Sequence, residues 1–203
     1  ASERASVRVE HPIERHCLAY RAACSEEEAA QRLASSLPEG LTGALFPFQR
    51  EGVLFALRHD ARVLIADEMG LGKTVQAIAT SLCFVDEWPM LVLCPASLCA
   101  NWQTELIKWM GLAGLANAPA RVHTIRSGKD RVQAEGELGL DGVSIVSYDL
   151  ASKLSDRLAQ VRFGVCVCDE SHNLKNPTAA RTQKLLPLAT RARRCLLPAS
   201  LAA

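Results

Sequence analysis

One glycine-rich stretch limits the possible folds of this chain more than any other feature. It reads Ala66-Asp-Glu-Met-Gly-Leu-Gly-Lys-Thr74 and follows directly after the apolar run 63–65. An apolar strand, a glycine loop and a helix in that order turn backbone N–H groups and the positive end of the helix dipole toward an anion. The stretch therefore predicts a phosphate-binding loop, although Asp67 stands where the pattern Gly-x-x-x-x-Gly-Lys-Ser/Thr has its first glycine.

Short apolar runs alternate with helical segments along most of the chain. Strands are predicted at residues 62–66, 90–94, 122–125, 143–147, 163–168 and 193–197. Helices are predicted at residues 29–37, 48–57, 73–84, 97–110, 148–160 and 176–188, the first after a capping box at Ser25-Glu-Glu-Glu28. This alternation predicts an α/β fold, a mostly parallel sheet with helices on both faces, in which ligands bind at the carboxyl ends of the strands. We expect little regular structure before about residue 24 and between residues 126 and 142.

The composition is that of a globular protein without a strong charge bias. The chain has 203 residues and a formal net charge of +1, so binding of a polyanion must come from local groups. The eight cysteines show no Cys-x-x-Cys pair and no spacing typical of zinc, and Cys166 and Cys168 are interpreted as core residues. Trp102 and Trp109 lie seven residues apart and are also interpreted as core. No signal peptide and no apolar run near the ~20 residues of a membrane helix is visible, which favours an intracellular protein that does not cross a membrane.

The glycine loop ends in side chains that suit a bound nucleotide. Lys73 supplies a positive charge for the β- and γ-phosphates, and the Thr74 hydroxyl is a ligand for Mg²⁺. Further along the chain, an apolar strand ends in Asp169-Glu-Ser-His172. There Asp169 would hold Mg²⁺, and Glu170 would orient and deprotonate an attacking water. An accidental Gly-Lys-Thr and a solvated acidic turn are the alternatives, but finding both motifs together favours the catalytic interpretation.

Several segments together resemble one family. Besides the two motifs above they are Leu45-Phe-Pro-Phe-Gln49-Arg-Glu-Gly-Val53, Leu93-Cys-Pro-Ala-Ser97-Leu-Cys-Ala-Asn-Trp102-Gln-Thr-Glu105, Ser144-Ile-Val-Ser-Tyr148-Asp149 and Asn173-Leu-Lys-Asn176. Over residues 44–197 the sequence resembles the ATP-binding lobe of SWI/SNF-type DNA translocases, a branch of the superfamily 2 helicase-like motors. Within that branch it is most similar to the annealing helicases, which rewind DNA and remodel stalled forks. In this branch the two acids of the loop are the expected residues, and we expect both to point away from the phosphates.

The resemblance implies a RecA-like P-loop domain that uses ATP and Mg²⁺. The implied site residues are Gln49, Gly70, Leu71, Gly72, Lys73 and Thr74 for the nucleotide, Thr74 and Asp169 for Mg²⁺, and Lys73, Asp169 and Glu170 for catalysis. Ser97, Ser147 and Lys175 would hold the DNA backbone without reading its sequence. His172 would relay the nucleotide state to a coupling motif. The three DNA candidates are alternatively helix caps or loop residues, and His172 is alternatively a plain loop histidine.

The resemblance also suggests how the chain is divided. We expect residues 1–40 to be an N-terminal extension and residues 41–203 to be the ATP-binding lobe, which ends at or just before the coupling motif. The reason is that Pro198-Ala-Ser-Leu-Ala-Ala203 stands where the family has Ser/Thr-Gly-Thr-Pro-Ala. The family's second RecA-like lobe, which supplies arginines to the transition state, is absent from this sequence. We therefore expect weak binding of Mg-ATP and no useful hydrolysis by these residues alone.

The predicted function is that of one part of an ATP-dependent DNA translocase that acts in the nucleus, in DNA repair, fork remodelling or chromatin remodelling. The alternative is a truncated, inactive module that binds DNA or a partner protein. A P-loop kinase or GTPase is disfavoured, because the sequence has neither an acceptor site nor a base-specificity motif such as Asn-Lys-x-Asp.

Overall fold

The computed structural model of the chain describes residues 22–68, 70–130, 132 and 142–199. Its helices are α1 (Glu26–Ser36), α2 (Glu39–Thr42), α3 (Pro47–Arg58), α4 (Lys73–Leu82), α5 (Cys99–Leu112), α6 (Ala118–Arg121), α7 (Tyr148–Lys153), α8 (Ser155–Gln160) and α9 (Ala180–Arg191). Short 3₁₀ turns lie at Val85–Glu87, Ala96–Leu98 and Ser171–Leu174. Its strands are β1 (Arg62–Ile65), β2 (Met90–Cys94), β3 (Val122–Ile125), β4 (Val143–Ser147), β5 (Val165–Cys168) and β6 (Arg194–Pro198).

The six strands form one sheet in the order β1-β6-β5-β2-β4-β3, and every pair of neighbours is parallel. The carboxyl ends of all strands therefore open on one edge of the sheet. The glycine loop follows β1 at this edge, and the acidic motif follows β5. The predicted α/β fold with a parallel sheet is confirmed.

Helices cover the sheet on both faces, as the alternation along β2 shows. Val92 and Cys94 point into a core formed with α1, α3, α4 and α5. Leu91 and Leu93 point into a second core formed with α7, α8 and α9. A strand buried on both faces has few polar residues, which is why β2 and β5 appear in the sequence as continuous apolar runs.

The capping box predicted at the first helix is present. The Glu28 N–H donates to Ser25 Oγ at 3.1 Å, and the Ser25 N–H donates to Glu28 Oε2 at 2.7 Å. Helix α1 lies within the predicted N-terminal extension, and its Ala29 and Leu33 are buried in the first core. The division of the chain at residue 40 stays a prediction.

All six predicted helices differ from those of the structure in at least one limit, and for three of them the difference has a local cause or breaks the helix. Residues 148–160 form two helices, because Leu154, at φ −103° and ψ 13°, leaves the helical region. The helix expected from Asn176 begins at Ala180 and continues to Arg191. Here Asn176 Oδ1 accepts hydrogen bonds from the Thr178 N–H and hydroxyl, a local turn that competes with the helix. The helix expected from Ser97 begins only at Cys99, after a 3₁₀ turn.

Some expectations fall outside the described residues. These are the little-structured chain before residue 22, most of the stretch between β3 and β4, and the altered coupling motif at residues 200–203. Within the described part of the chain, no helix is both long and apolar enough to cross a membrane.

Candidate active site

The backbone of the glycine loop has the conformation that its glycines permit. Gly70 and Gly72 have φ values of 85° and 77°, in the left-handed region that disfavours residues with a side chain. Gly72 is also the residue before helix α4, and a Cβ atom there would lie 2.4 Å from Gln49 Nε2. The backbone conformation at position 72 therefore favours glycine, and a side chain there would also displace the Gln49 amide.

The Lys73 side chain folds back onto its own loop. Its Nζ donates to the carbonyl oxygens of Asp67 at 2.8 Å and Glu68 at 3.0 Å. The ammonium group thus lies at the start of α4, where the helix dipole also presents its positive end. This local charge explains how a nearly neutral chain can attract a polyanion.

The Asp67 carboxylate contacts helix α4. Its Oδ2 accepts a hydrogen bond from Nε2 of the buried Gln76 at 2.5 Å. Space for Gln76 depends on Gly52, where a Cβ would lie 2.0 Å from Gln76 Oε1. Asp67 therefore braces the loop against α4 and lines a cavity of about 350 Å³ beside β1, while Glu68 is exposed.

Gln49 joins helix α3 to the glycine loop. It is only 6% exposed, its Nε2 donates to the Leu71 carbonyl at 3.1 Å, and its Oε1 accepts from the Phe46 N–H at 3.0 Å. Leu71 itself is 38% exposed. Both polar ends of the Gln49 amide are thus paired with backbone in this structure, at the back of the loop.

Asp169 lies at the end of β5 and is held from several sides. Its Oδ2 accepts a 2.7 Å hydrogen bond from Trp102 Nε1, and its carbonyl accepts one of 2.7 Å from the Tyr148 hydroxyl. Its own N–H donates to the Leu93 carbonyl at 2.8 Å. Burial raises the pKa of Asp169 above its ordinary value, and the Trp102 hydrogen bond opposes that shift. The carboxylate is therefore positioned in a site that favours a nearby cation.

Glu170 turns the chain sharply after the strand. Its φ is 49°, an uncommon value for a residue with a side chain. Its Oε2 lies 3.2 Å from His172 Nδ1, and its carbonyl accepts from Asn173 Nδ2 at 2.9 Å. Strained backbone of this kind occurs at functional sites, where the surrounding structure fixes it.

The two predicted motifs meet at one pocket of about 300 Å³. Its lining comprises Gly70, Gly72, Lys73 and Thr74 from the loop, Asp169 and Glu170 from the acidic motif, and Leu98 and Asn101. The sequence does not assign a site role to the last two; Leu98 directly precedes helix α5, and Asn101 lies in its first turn. Six of the predicted site residues thus lie around one space, whereas Gln49 and Leu71 lie outside its lining.

The predicted DNA-contacting residues are not part of the lining of this pocket, although Ser97 directly precedes Leu98, which is. Ser147 caps α7 by accepting from the Leu150 N–H at 3.4 Å, and it lines a separate cavity of about 530 Å³. Arg126 and Lys153 line the same cavity and supply positive charge. Ser97 is exposed in the 3₁₀ turn before α5, next to Ala96, which lines the same cavity. Lys175 is exposed just after the acidic motif.

Buried hydrogen bonds connect the two regions, and no sequence motif predicts them. Trp102 is fully buried, as its core interpretation predicts, but its N–H also donates to Asp169. Tyr148, next to Ser147, binds the Asp169 backbone. Partners separated by 67 and 21 residues are set by the fold, so local patterns do not reveal them.

Among the described residues, no group of three or more His, Cys, Asp or Glu side chains is placed to hold a metal ion. The metal expected here is one shared with a nucleotide. Such a site needs only the Asp169 carboxylate and the Thr74 hydroxyl from the protein, because phosphates and water supply the other ligands.

Comparison with known proteins gives consistent matches. Residues 48–198 match the SNF2-related domain. The chain is 38% identical over 178 residues to the "DNA annealing helicase and endonuclease ZRANB3" of Bos taurus, which covers 86% of this chain and 16% of that protein. It is 40% identical over 164 residues to the "SWI/SNF-related matrix-associated actin-dependent regulator of chromatin subfamily A-like protein 1" of Bos taurus. That match covers 80% of this chain and 16% of that protein. The chain thus spans about a sixth of the length of these relatives.

A solved structure has the same fold. The "Sulfolobus solfataricus SWI2/SNF2 ATPase core in complex with dsDNA" matches with a TM-score of 0.63 and 22% identity, over 81% of this chain and 34% of that one. At this level of identity the likeness concerns the fold alone. The domain match itself covers most of the chain and includes both the glycine loop and the acidic motif, so this chain belongs to the SNF2-related family.

Proposed function

We propose that this chain is the ATP-binding lobe of a DNA-dependent ATPase that acts on double-stranded DNA as a translocase or annealing helicase. The observation that carries the proposal is the pocket in which the glycine loop, ending in Lys73 and Thr74, faces Asp169 and Glu170. The identity to two proteins named as DNA annealing helicase and as chromatin regulator supports DNA repair, fork remodelling or chromatin remodelling as the setting.

The residues at the pocket fit ATP with Mg²⁺. Lys73 donates to two loop carbonyls, and a phosphate would offer its ammonium group a stronger, charged partner. Thr74 and Asp169 offer the oxygen ligands that Mg²⁺ prefers. Bound there, Mg²⁺ would neutralise charge on the phosphates. Glu170 would orient the attacking water and accept its proton.

Gln49 and Leu71 are proposed to bind the base side of the nucleotide. The Gln49 amide has both a donor and an acceptor edge, as recognition of a base requires. In the structure its donor is paired with the Leu71 carbonyl at 3.1 Å. A nucleotide base would compete for that donor, so that binding would loosen the link between α3 and the loop.

DNA is proposed to bind by its backbone at Ser97, Ser147 and Lys175, without reading of the base sequence. The exposure of Ser97 and Lys175, and the positive charge beside Ser147, support this assignment. His172 is proposed to pass on the state of the nucleotide, which its contact with Glu170 supports.

We further propose that hydrolysis requires a second RecA-like lobe, and that the complete protein acts in the nucleus. Arginines supplied to the transition state from another domain are worth ~10³–10⁵ in rate in phosphoryl-transfer enzymes. The 203-residue chain should therefore bind Mg-ATP but hydrolyse it very slowly.

The test is ATP hydrolysis by the chain with and without a second lobe, joined or added in trans, in the presence of double-stranded DNA. The second lobe should restore DNA-stimulated hydrolysis, and Lys73→Ala should abolish it. Lys175→Ala is the matched control, since it removes the same charge outside the pocket, and it should weaken DNA binding while leaving ATP binding unchanged. DNA-stimulated turnover by the chain alone, lost in Lys73→Ala, would contradict the need for a second lobe. No turnover with any second lobe would instead favour a binding module.

A further inference from the structure

Two cysteine thiols lie close together at the edge of the cavity that holds Ser147. Cys94 ends strand β2 and is fully buried, whereas Cys99 begins helix α5 and is half-buried. Their sulfur atoms are 3.5 Å apart. Cys99 lines the cavity of about 530 Å³, so that a small solute can reach its sulfur from that side.

The chain between the two cysteines explains why they meet. Pro95 and the 3₁₀ turn Ala96–Leu98 bring the start of α5 back over the end of β2. A disulfide requires sulfur atoms about 2 Å apart, so closure needs a movement of only ~1.5 Å. A second close pair, Cys166 and Cys168 at 3.9 Å, is fully buried within one strand and has no such access.

The surroundings of Cys99 favour its reactive form. The hydrogen bond from Cys94 lowers the pKa of Cys99 to about 7, with a smaller contribution from the Arg126 charge, while burial opposes the shift. Asp149 and Lys153 are the other charged groups that line the cavity. Because the thiolate is the nucleophile, the lowered pKa makes Cys99 more reactive near neutral pH than an ordinary thiol.

We propose that Cys99 and Cys94 are a modification site at which a hydroperoxide produces an intrachain disulfide. The Cys99 thiolate attacks the peroxide, which forms an S–O bond and breaks the O–O bond, and the departing alkoxide or hydroxide takes a proton from solvent. The Cys94 sulfur then attacks Cys99, which forms the S–S bond, and the hydroxide released from Cys99 leaves as water with the proton of Cys94. The two thiols lose two electrons, and the peroxide gains them.

The disulfide would act on the loop that carries Ser97. Strand β2 is paired on both sides, with β4 and β5, and Cys94 lies in register with Ser147. The strand therefore resists movement. Formation of the bond between the Cys94 and Cys99 sulfur atoms must instead shift the Ala96–Leu98 turn and the start of α5. If DNA binds there, as proposed above, the oxidised chain binds it more weakly, and a thiol reductant restores the affinity.

Peptide mapping tests the chemistry independently of DNA. The purified chain is treated with an equimolar amount of hydrogen peroxide, its free thiols are alkylated, and the digest is analysed by mass spectrometry. We expect a Cys94–Cys99 cross-link, its loss in Cys99→Ser, and a sulfenic acid on Cys99 that dimedone traps in Cys94→Ala. Cys24→Ser is the control, because Cys24 is also half-buried but lies far from the cavity in sequence and has the Leu57 carbonyl as its contact.

The outcomes separate this proposal from the proposed function. Oxidation of Cys99 no faster than that of Cys24, or a cross-link between other cysteines, would overturn the proposal. DNA affinity is then measured by fluorescence anisotropy before and after peroxide, with an expected loss of at least ~10-fold that the Cys99→Ser chain does not show. A cross-link without any loss of affinity would refute the effect on DNA, whereas failure of the reduced chain to bind DNA would count against the proposed function.

Discussion

Replacing Trp102 with phenylalanine should weaken both the fold and the metal site. The Trp102 N–H donates at 2.7 Å to a carboxylate oxygen of Asp169, which is 6% exposed. A hydrogen bond to a charged group contributes ~1.5–3 kcal/mol, and its loss leaves that oxygen unpaired. The smaller ring also leaves a cavity, which we estimate adds ~1 kcal/mol. The expected loss in free energy of unfolding is therefore ~3 kcal/mol.

Trp109→Phe is the matched control for this change. Trp109 lies on the same helix, is also buried, and donates from the same atom, at 2.9 Å to Glu105 Oε2. Glu105 is only half-buried, so water can replace the lost partner there. The same loss of ring volume should then cost only ~1–1.5 kcal/mol, mostly from the cavity. Chemical denaturation followed by far-ultraviolet circular dichroism measures both variants without using tryptophan fluorescence.

A second measurement separates this role of Trp102 from simple packing. Without the Trp102 donor, the pKa of Asp169 should rise further, because this hydrogen bond is the main influence that opposes burial. Loss of a group that orients a metal ligand typically lowers metal affinity ~10–100-fold. Added Mg²⁺ should therefore increase the nucleotide affinity of Trp102→Phe less than that of the unmodified chain. In Trp109→Phe the increase should be unchanged. Equal destabilisation of the two variants, with unchanged dependence on Mg²⁺, would refute the reasoning.

Two further changes test the loop and the thiol pair. Gly72→Ala should cost ~2–3 kcal/mol of unfolding free energy, because it forces alanine into a left-handed conformation and displaces the amide of Gln49. Gly40→Ala, in helix α2 with open space around it, should instead be neutral or slightly stabilising in the same denaturation assay, and similar costs at both positions would contradict this account. Alkylation of Cys99 by iodoacetamide should become faster as pH rises, with its midpoint at about 7, since the thiolate reacts. In Cys94→Ala that midpoint should move to higher pH, and an unchanged midpoint would exclude Cys94 as the cause.

The sheet could be predicted from sequence because most of its strands are short, largely apolar and buried runs. Three of them, β2, β3 and β4, have the predicted limits. The glycine loop was equally visible, since Gly70 and Gly72 are the residues that its backbone requires. These features depend on local sequence, so local reasoning is sufficient for them.

Features that depend on distant partners could not be predicted in the same way. Trp102 and Trp109 have the spacing of two core residues on one helix, and nothing in that spacing distinguishes the one that binds Asp169. Leu154 interrupts the helix predicted over residues 148–160 without a glycine or proline to mark the break. The pairing of Cys94 with Cys99 depends on the 3₁₀ turn Ala96–Leu98, whereas the sequence pattern predicts a regular helix from residue 97.

The most direct test of the central claim is the binding of Mg-ATP to the 203-residue chain. Isothermal titration calorimetry would compare the unmodified chain with Lys73→Ala and Asp67→Ala, two variants of the same loop. The Asp67 carboxylate contacts Gln76 on α4, whereas the Lys73 ammonium lies at the pocket. We predict Mg²⁺-dependent binding that is lost in Lys73→Ala and only weakened in Asp67→Ala. Equal loss of binding in the two variants, or binding that Lys73→Ala leaves intact, would contradict the assignment of this pocket to ATP.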